Sequence, residues 1–310
     1  MQPLTVAVLF LVFNRLDTTK KVFEAIREAK PPKLYIASDG AREEKTGEKE
    51  QVESIRNYIM EHIDWECEIK LLFRDNNLGC KYAVSSAIDW FFVNEEMGII
   101  LEDDCLASQD FFTFCEKLLL KYKNDTRISM ISGTSYLFNE IDSDEDYFFS
   151  KYMAIWGWAT WKRAWNSYDA EMQDWNKVKM QNRLKSIFFW DKNIENIFSH
   201  YFDLGYEKKV DTWDFQWVYT CLINSGYSIT PYKNLVSNIG VEGTRSSENS
   251  PFINMKIEHI NNVGKLKHAT PLIHNLEIDK ILFDNVFYRF KKYSKIKIYI
   301  FQLYRKLLRK

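Results

Sequence analysis

Strands that alternate with helical stretches through the first half of the chain predict an α/β protein with a mostly parallel sheet flanked by helices. Two observations carry this prediction. Short apolar runs recur at LTVAVLFLVF (4–13), KLYIAS (33–38), CEIKLLF (67–73), MGIIL (97–101) and RISMIS (127–132). The segments between them include helical patterns, clearest in CKYAVSSAIDWFF (80–92), where Ala83, Ala87, Trp90 and Phe91 recur at helical spacing. With 310 residues, 46% of them hydrophobic, the chain is long enough to bury a large core, as one domain carrying an extension.

The elements follow in order. After the first strand, Asp17 or Thr18 is placed to cap a helix running to about Ala29, which Pro31-Pro32 ends. Asp39-Gly40 marks a turn after the second strand. The charged stretch AREEKTGEKE (41–50) predicts a solvated loop entering a helix near 50–62. A helix is expected at about 109–123, and NEIDSDED (139–146) reads as a mobile acidic loop. VDTWDFQWVYTCLINSG (210–226) predicts a helix capped by Asp211 or Thr212, with Trp213, Trp217 and Cys221 on one stripe.

Several classes are set aside by composition. No apolar run reaches the roughly 20 residues that span a bilayer, and the apolar start lacks a basic leader and a cleavage site, so it reads as a strand. The five cysteines form no CxxC pair, which predicts reduced thiols in a cytoplasmic protein. Net charge is −1, but residues 287–310 hold nine Lys or Arg and no acid. Without that tail, 33 basic residues face 43 acidic ones, so a body that binds nucleic acid is not expected. In the tail, Ile296, Ile300, Leu303 and Leu307 form one helical stripe, with Lys291, Lys295, Gln302, Lys306 and Arg309 largely elsewhere. This pattern predicts peripheral contact with the inner face of the cytoplasmic membrane.

The stretch GIILEDDC (98–105) drives an apolar strand into three consecutive acids. Adjacent carboxylates repel, and burying them is costly unless a cation compensates. In open α/β sheets, ligands bind beyond the carboxyl ends of the strands, where this triplet falls. Hard oxygens there predict that Asp104, with Asp103, holds Mn²⁺ or Mg²⁺, which in turn holds a diphosphate. WGWATWKRAW (156–165) contains four of the ten tryptophans. The spacing of Trp158, Trp161 and Trp165 is that of a helix face in a core, and the latter two are expected there. Trp156 and Trp158, beside Gly157, are the candidates for stacking on a sugar.

Five segments carry a resemblance: VFNR (12–15), NLGCKYAVSSAIDWFF (77–92), LEDDCLASQDFF (101–112), WGWATWKRAW (156–165) and NLVSNIG (234–240). Together they resemble nucleotide-sugar glycosyltransferases of the GT-A fold over about residues 4–245. ILEDD in particular is similar to the Glu-Asp-Asp motif of the N-acetylglucosaminyltransferase type, and the pattern resembles a group of bacterial glycosyltransferase-like proteins. The resemblance implies a GT-A-like, Rossmann-related catalytic domain at 1–245, with a donor half at about 1–133 and an acceptor half at about 134–245. A C-terminal extension at 246–310 would end in the basic helix.

The resemblance implies that Asp39 contacts the base or ribose and that Arg15 lies near the nucleotide. It places Asn77, Gly79 and Lys81 along the donor pocket, with Glu102 and Asp103 against the donor. A carboxylate at the start of a helix often serves such enzymes as the base, which implies Asp214, with Asp211 as the substitute. Related proteins follow NLVSNIG with a metal-completing histidine, whereas this chain runs GVEGTRSSENS. Either Arg245 meets the diphosphate directly in place of that histidine, or the segment is disordered. None of the five histidines has a catalytic context.

The expected activity is an inverting, metal-dependent transfer of a hexosyl or N-acetylhexosaminyl group from a nucleotide-diphosphate sugar, UDP-sugar favoured. The acceptor would be a glycan or lipid-linked glycan hydroxyl in cell-surface polysaccharide biosynthesis. One alternative is a sugar-phosphate nucleotidyltransferase, although VFNRLDTT lacks the Gly-rich phosphate loop that activity normally uses. The other is a catalytically inactive protein that binds a sugar nucleotide.

Overall fold

The computed structural model describes residues 4–241, 250–270 and 272–288. Its centre is an eight-stranded mixed sheet, and the predicted α/β class holds. The first half alternates β1 (Ala7–Val12), α1 (Leu16–Ala29), β2 (Lys33–Ser38), α2 (Glu48–His62), β3 (Glu68–Phe73), α3 (Gly79–Asn94) and β4 (Met97–Glu102). After it come β5 (Cys105–Ala107), α4 (Gln109–Lys121), β6 (Ile128–Ser132), β7 (Tyr147–Ser150), β8 (Trp158–Trp161) and the short α5 (Lys162–Trp165). Four helices follow: α6 (Trp175–Met180), α7 (Arg183–Ile187), α8 (Lys192–Tyr206) and α9 (Asp214–Ile223). The chain then forms β9 (Tyr227–Pro231), β10 (Val236–Asn238) and α10 (Leu276–Phe283).

Strand order is β3-β2-β1-β4-β8-β6-β9-β7, and β5 pairs with β10 in a separate two-stranded sheet. Strands β3, β2, β1 and β4 are mutually parallel, so their carboxyl ends share one edge. Strand β8 runs antiparallel between β4 and β6.

The apolar run of β1 is continuous because both faces of the sheet are covered. Val8, Phe10 and Val12 pack with Val22, Phe23 and Ile26 of α1 and with α2 and α4. Ala7, Leu9 and Leu11 pack on the other face with Ala87, Ile88 and Phe91 of α3. Strand β8 repeats the alternation, with Trp158 on the α3 face and Trp161 on the α4 face. This corrects the helical reading of that tryptophan block. Trp158 and Trp161 lie on a strand, where an odd spacing sends side chains to opposite faces. Trp161 and Trp165 are core residues, as expected.

Three local expectations change. Helix α1 starts at Leu16 with Arg15 as its N-cap, so neither Asp17 nor Thr18 caps it; Asp17 sits in the first turn, where negative charge is still favourable. Helix α9 starts at Asp214 without a side-chain cap, because Asp211 is engaged elsewhere. The acidic stretch 139–146 is tied down at its end. The Lys267 N–H donates to Asp146 (2.7 Å), the Asp146 N–H donates to the Lys267 carbonyl (3.0 Å), and the Thr270 N–H donates to Glu145 (3.3 Å).

Residues 250–288, where described, lie against the body. The Asn254 N–H donates to the Asn238 carbonyl (2.8 Å), and the Glu258 N–H to the Asn234 carbonyl (2.7 Å). Helix α10 adds Ile278 and Leu282 to a cluster with Leu137, Phe148 and Ala154. Among the described residues no helix is long and apolar enough to cross a membrane. The basic tail from 289 onward lies outside them.

Asp279 anchors α10, accepting from the Ser150 hydroxyl (2.5 Å) and the Lys151 N–H (3.2 Å). Burial pushes its carboxyl up to about 6, despite those donors. A carboxyl raised on folding stabilises while protonated, and that contribution is lost as pH rises from its unfolded value through about 6. Asp279→Asn should therefore gain on wild type, on the order of 2–3 kcal/mol, between about pH 4 and 7. Urea midpoints of both proteins across that range check it; a pH-independent difference contradicts the assignment.

Candidate active site

The acidic triplet lies at the carboxyl end of β4, on the shared edge, and its first compensating cation is a side chain. Arg15, just past β1, pairs through Nη2 with Asp103 and through Nη1 with Asp104 (2.8 Å). Asp103, 2% exposed, also faces the Phe13 N–H (3.3 Å). Burial lowers the guanidinium's proton affinity, but the charges of Asp103 and Asp104 more than offset it and raise it overall.

One guanidinium does not balance three carboxylates. Asp103 is pushed up to about 6, by burial first and with Arg15 opposing. Glu102 is pushed up to about 8, by burial and then by Asp104 and Asp103, with Asp214 adding to the effect. The side chain of Glu102 has no hydrogen-bond partner among the described residues. The remaining oxygen of Asp104, Oδ1, faces only the Cys105 thiol, at 3.5 Å, among the described residues.

Gly240 closes over this cluster. A Cβ there would lie 2.5 Å from Asp104 Oδ2 and 2.9 Å from Arg15 Nη1, so any side chain would press into the ion pair. The Ile239 N–H donates to the Asp104 carbonyl (2.8 Å), joining the segment after β10 to the acidic turn.

The residues expected along the donor pocket gather at the start of α3. Asp39, following β2, accepts from the Leu78 N–H (3.0 Å), and burial raises its pKa against the pull of such bonds. The Asn77 amide donates to the Gly40 carbonyl (2.8 Å), and its oxygen accepts from the Gly79 N–H (3.2 Å). Lys81 does not open onto this edge. It is buried, with Nζ on Glu171 at 2.8 Å, and Glu171 also takes the Tyr82 hydroxyl (2.7 Å) and Lys208 (2.8 Å).

Asp211 caps α3. Its carboxylate accepts from the N–H groups of Cys80 (2.8 Å) and Lys81 (2.9 Å), where a helix N-terminus leaves donors unpaired. Gly79 has a positive φ of 74°, and a Cβ there would come 2.7 Å from Asp211 Oδ2. Glycine is required on both counts. Asp214, three residues on, is half-buried and takes a hydrogen bond from the Thr212 hydroxyl.

Beside Asp214 is a cavity of about 330 Å³ lined by Tyr136, Tyr152, Trp156, Tyr201 and Phe215, among others. Trp156 lines this cavity; Trp158 does not. It is 1% exposed, between β4 and β6 neighbours and stacked on Trp213 at 5.5 Å, because its strand register turns it into the core. Arg245 lies outside the described residues. Sequence reasoning missed Tyr136, Tyr201, Phe215 and Gly240. Phe215 adjoins Asp214 and Gly240 ends the NLVSNIG segment, but nothing local marks Tyr136 or Tyr201.

Among the described residues no three His, Cys, Asp or Glu side chains converge into a cage for a metal. The donor chemistry nevertheless fits a hard divalent ion. Such ions are often held by one or two carboxylates with substrate phosphate completing the shell, and Glu102, unpartnered among the described residues, and Oδ1 of Asp104 would provide that minimum.

No protein-family model matches the chain, and no curated protein does. Among solved structures it is similar to a mannosyltransferase, PcManGT from Pyrobaculum calidifontis, in complex with GDP-Man and Mn²⁺. That match has 13% identity and a TM-score of 0.33, covering 52% of this chain and 45% of the other. GalNAc-T7 with UDP, GalNAc and Mn²⁺ matches at 11% identity and a TM-score of 0.42, over 74% and 43%. The glycosyltransferase GlyE of Streptococcus pneumoniae matches at 13% and 0.32, over 74% and 45%. The chain spans less than half the length of these three proteins. Likenesses this partial leave the function to be argued from the residues themselves.

The two acids near α9 are separable. Asp211→Ala should lower stability by about 1 kcal/mol through the lost cap, seen as a lower urea midpoint, while Asp214→Asn should leave the midpoint close to wild type. An unchanged midpoint for Asp211→Ala contradicts the capping role.

Proposed function

We propose that the chain is a nucleotide-sugar glycosyltransferase of GT-A type. The reading rests on one observation above the others: three carboxylates at the carboxyl end of a central parallel strand are only partly neutralised by Arg15. That arrangement attracts a divalent cation and, with it, a diphosphate. Asp104 and Glu102 are the residues that would hold Mn²⁺ or Mg²⁺; Asp103, expected beside Asp104, has its oxygens engaged by Arg15 and the Phe13 N–H. The ion supplies positive charge against the leaving diphosphate.

Arg15 can add charge-assisted hydrogen bonds to phosphate oxygens. Asp39, on the neighbouring strand end, is an acceptor for base or ribose hydrogens. A UDP-sugar is the favoured donor, carrying a hexosyl or N-acetylhexosaminyl group. Asp214 is the base. The Thr212 hydroxyl engages one of its oxygens, leaving the other to take the proton from an acceptor hydroxyl as that oxygen attacks the anomeric carbon. The bond to the diphosphate breaks in the same displacement, and the anomeric centre inverts. The basic stretch 287–310 supports a peripheral place at the cytoplasmic membrane and a glycan or lipid-linked acceptor in cell-surface polysaccharide biosynthesis.

The test is a screen of nucleotide sugars with Mn²⁺, read by released nucleoside diphosphate and by NMR of the product. One donor should be turned over with inversion, and Asp214→Asn should lower turnover by about 100-fold or more while still binding nucleotide. Retention of configuration, turnover undiminished in Asp214→Asn, or pyrophosphate release from a nucleoside triphosphate as the sole activity would count against the proposal.

A further inference from the structure

We infer that the cavity beside Asp214 binds a neutral sugar ring, held by aromatic faces and hydroxyl hydrogen bonds rather than by charge. Calling that sugar the acceptor rests on the transferase reading; calling the ligand a sugar rests on the cavity.

Size comes first. At about 330 Å³ the space lies at the lower end of the roughly 300–1,000 Å³ typical of small-molecule pockets. It suits a ring-sized ligand. Its walls are flat and aromatic: Tyr201 and Phe215 stack at 5.1 Å and 15°, and Tyr136 stands edge-on to Trp156 at 6.0 Å. Rings of this kind offer faces to the C–H side of a pyranose and leave its hydroxyls to be met at the rim.

Polarity decides between ligand classes. Among the described residues the lining includes no Lys, Arg or His, and Asp214 is its one acid. A uronate or phosphorylated sugar would meet no countercharge and would be repelled by Asp214. An acyl chain fits no better, since it would cover the Asp214 carboxylate without giving it a donor, at a desolvation cost. A neutral sugar provides hydroxyl donors for that carboxylate. The hydroxyl of Tyr136, a residue only 7% exposed, has no hydrogen-bond partner among the described residues. That hydroxyl can donate to or accept from a ligand hydroxyl in the cavity. The hydroxyl of Tyr152 is likewise unpartnered among the described residues.

The experiment is saturation-transfer NMR on the full chain with three probes: methyl glycosides of neutral hexoses and N-acetylhexosamines, a methyl glucuronoside, and decanoate. At least one neutral glycoside should bind at millimolar concentration, and the glucuronoside and decanoate should not. Tyr136→Phe keeps the packing and removes only the hydroxyl, so it should weaken binding roughly fivefold; Phe215→Ala should weaken it further. The inference is overturned if no neutral glycoside binds, if decanoate or the glucuronoside binds in its place, or if Tyr136→Phe binds as wild type does. Nucleotide binding measured on the same samples separates the two ideas. Nucleotide binding without glycoside binding removes the cavity assignment alone, whereas the converse removes the transferase reading alone.

Discussion

The site depends on one guanidinium. Arg15 reaches from the end of β1 across to the acids after β4 and holds two of them at once. Without it, Asp103 would be a buried charge lacking a partner, a defect that typically costs several kcal/mol. The pairing also determines what is left over. Arg15 satisfies Asp103, engages one oxygen of Asp104 and does not pair with Glu102, so among the described residues one cation faces three acids. On the proposed reading, that imbalance is what would draw a divalent ion and a donor diphosphate to the turn.

A second group of polar ties fixes the neighbouring loop. Asp39 and Asp211, distant in sequence, both accept backbone N–H groups at the start of α3. The segment 77–81 is thereby clamped from the sheet edge on one side and from the approach to α9 on the other. Asp214 follows three residues after Asp211, so the same clamp helps to fix the candidate base relative to the strand ends. Reactive groups supported this way by rigid elements can be positioned with the precision catalysis requires. The aromatic cavity completes the arrangement by placing an apolar surface on the far side of Asp214.

Much of the fold was legible because it is written in local periodicity. The run at 4–13 could hardly be other than a strand covered on both faces, and α3 announced itself through its apolar spacing. The acidic triplet stood out as a candidate because adjacent acids at a strand end call for a compensating cation, and Arg15 is the one the structure provides. What failed to show depends on distant partners. Arg15 was expected near a nucleotide, yet nothing local reveals that it answers acids 88 and 89 residues away. Asp211 looked like a cap for the helix that follows it and instead caps one 130 residues earlier. Trp158 kept helical spacing with its neighbours by coincidence; pairing with β4 and β6 overrode it. Lys81 had the charge for a phosphate, but Glu171 claims it.

The most direct test of the residual charge is a Mn²⁺ titration followed by electron paramagnetic resonance, with UDP present, on wild type and Asp104→Asn. The account predicts one tightly held ion per wild-type chain and its loss in the variant. A wild-type chain that leaves all the manganese in solution would show that Arg15 alone neutralises the acidic turn, and the proposed centre would fall with it.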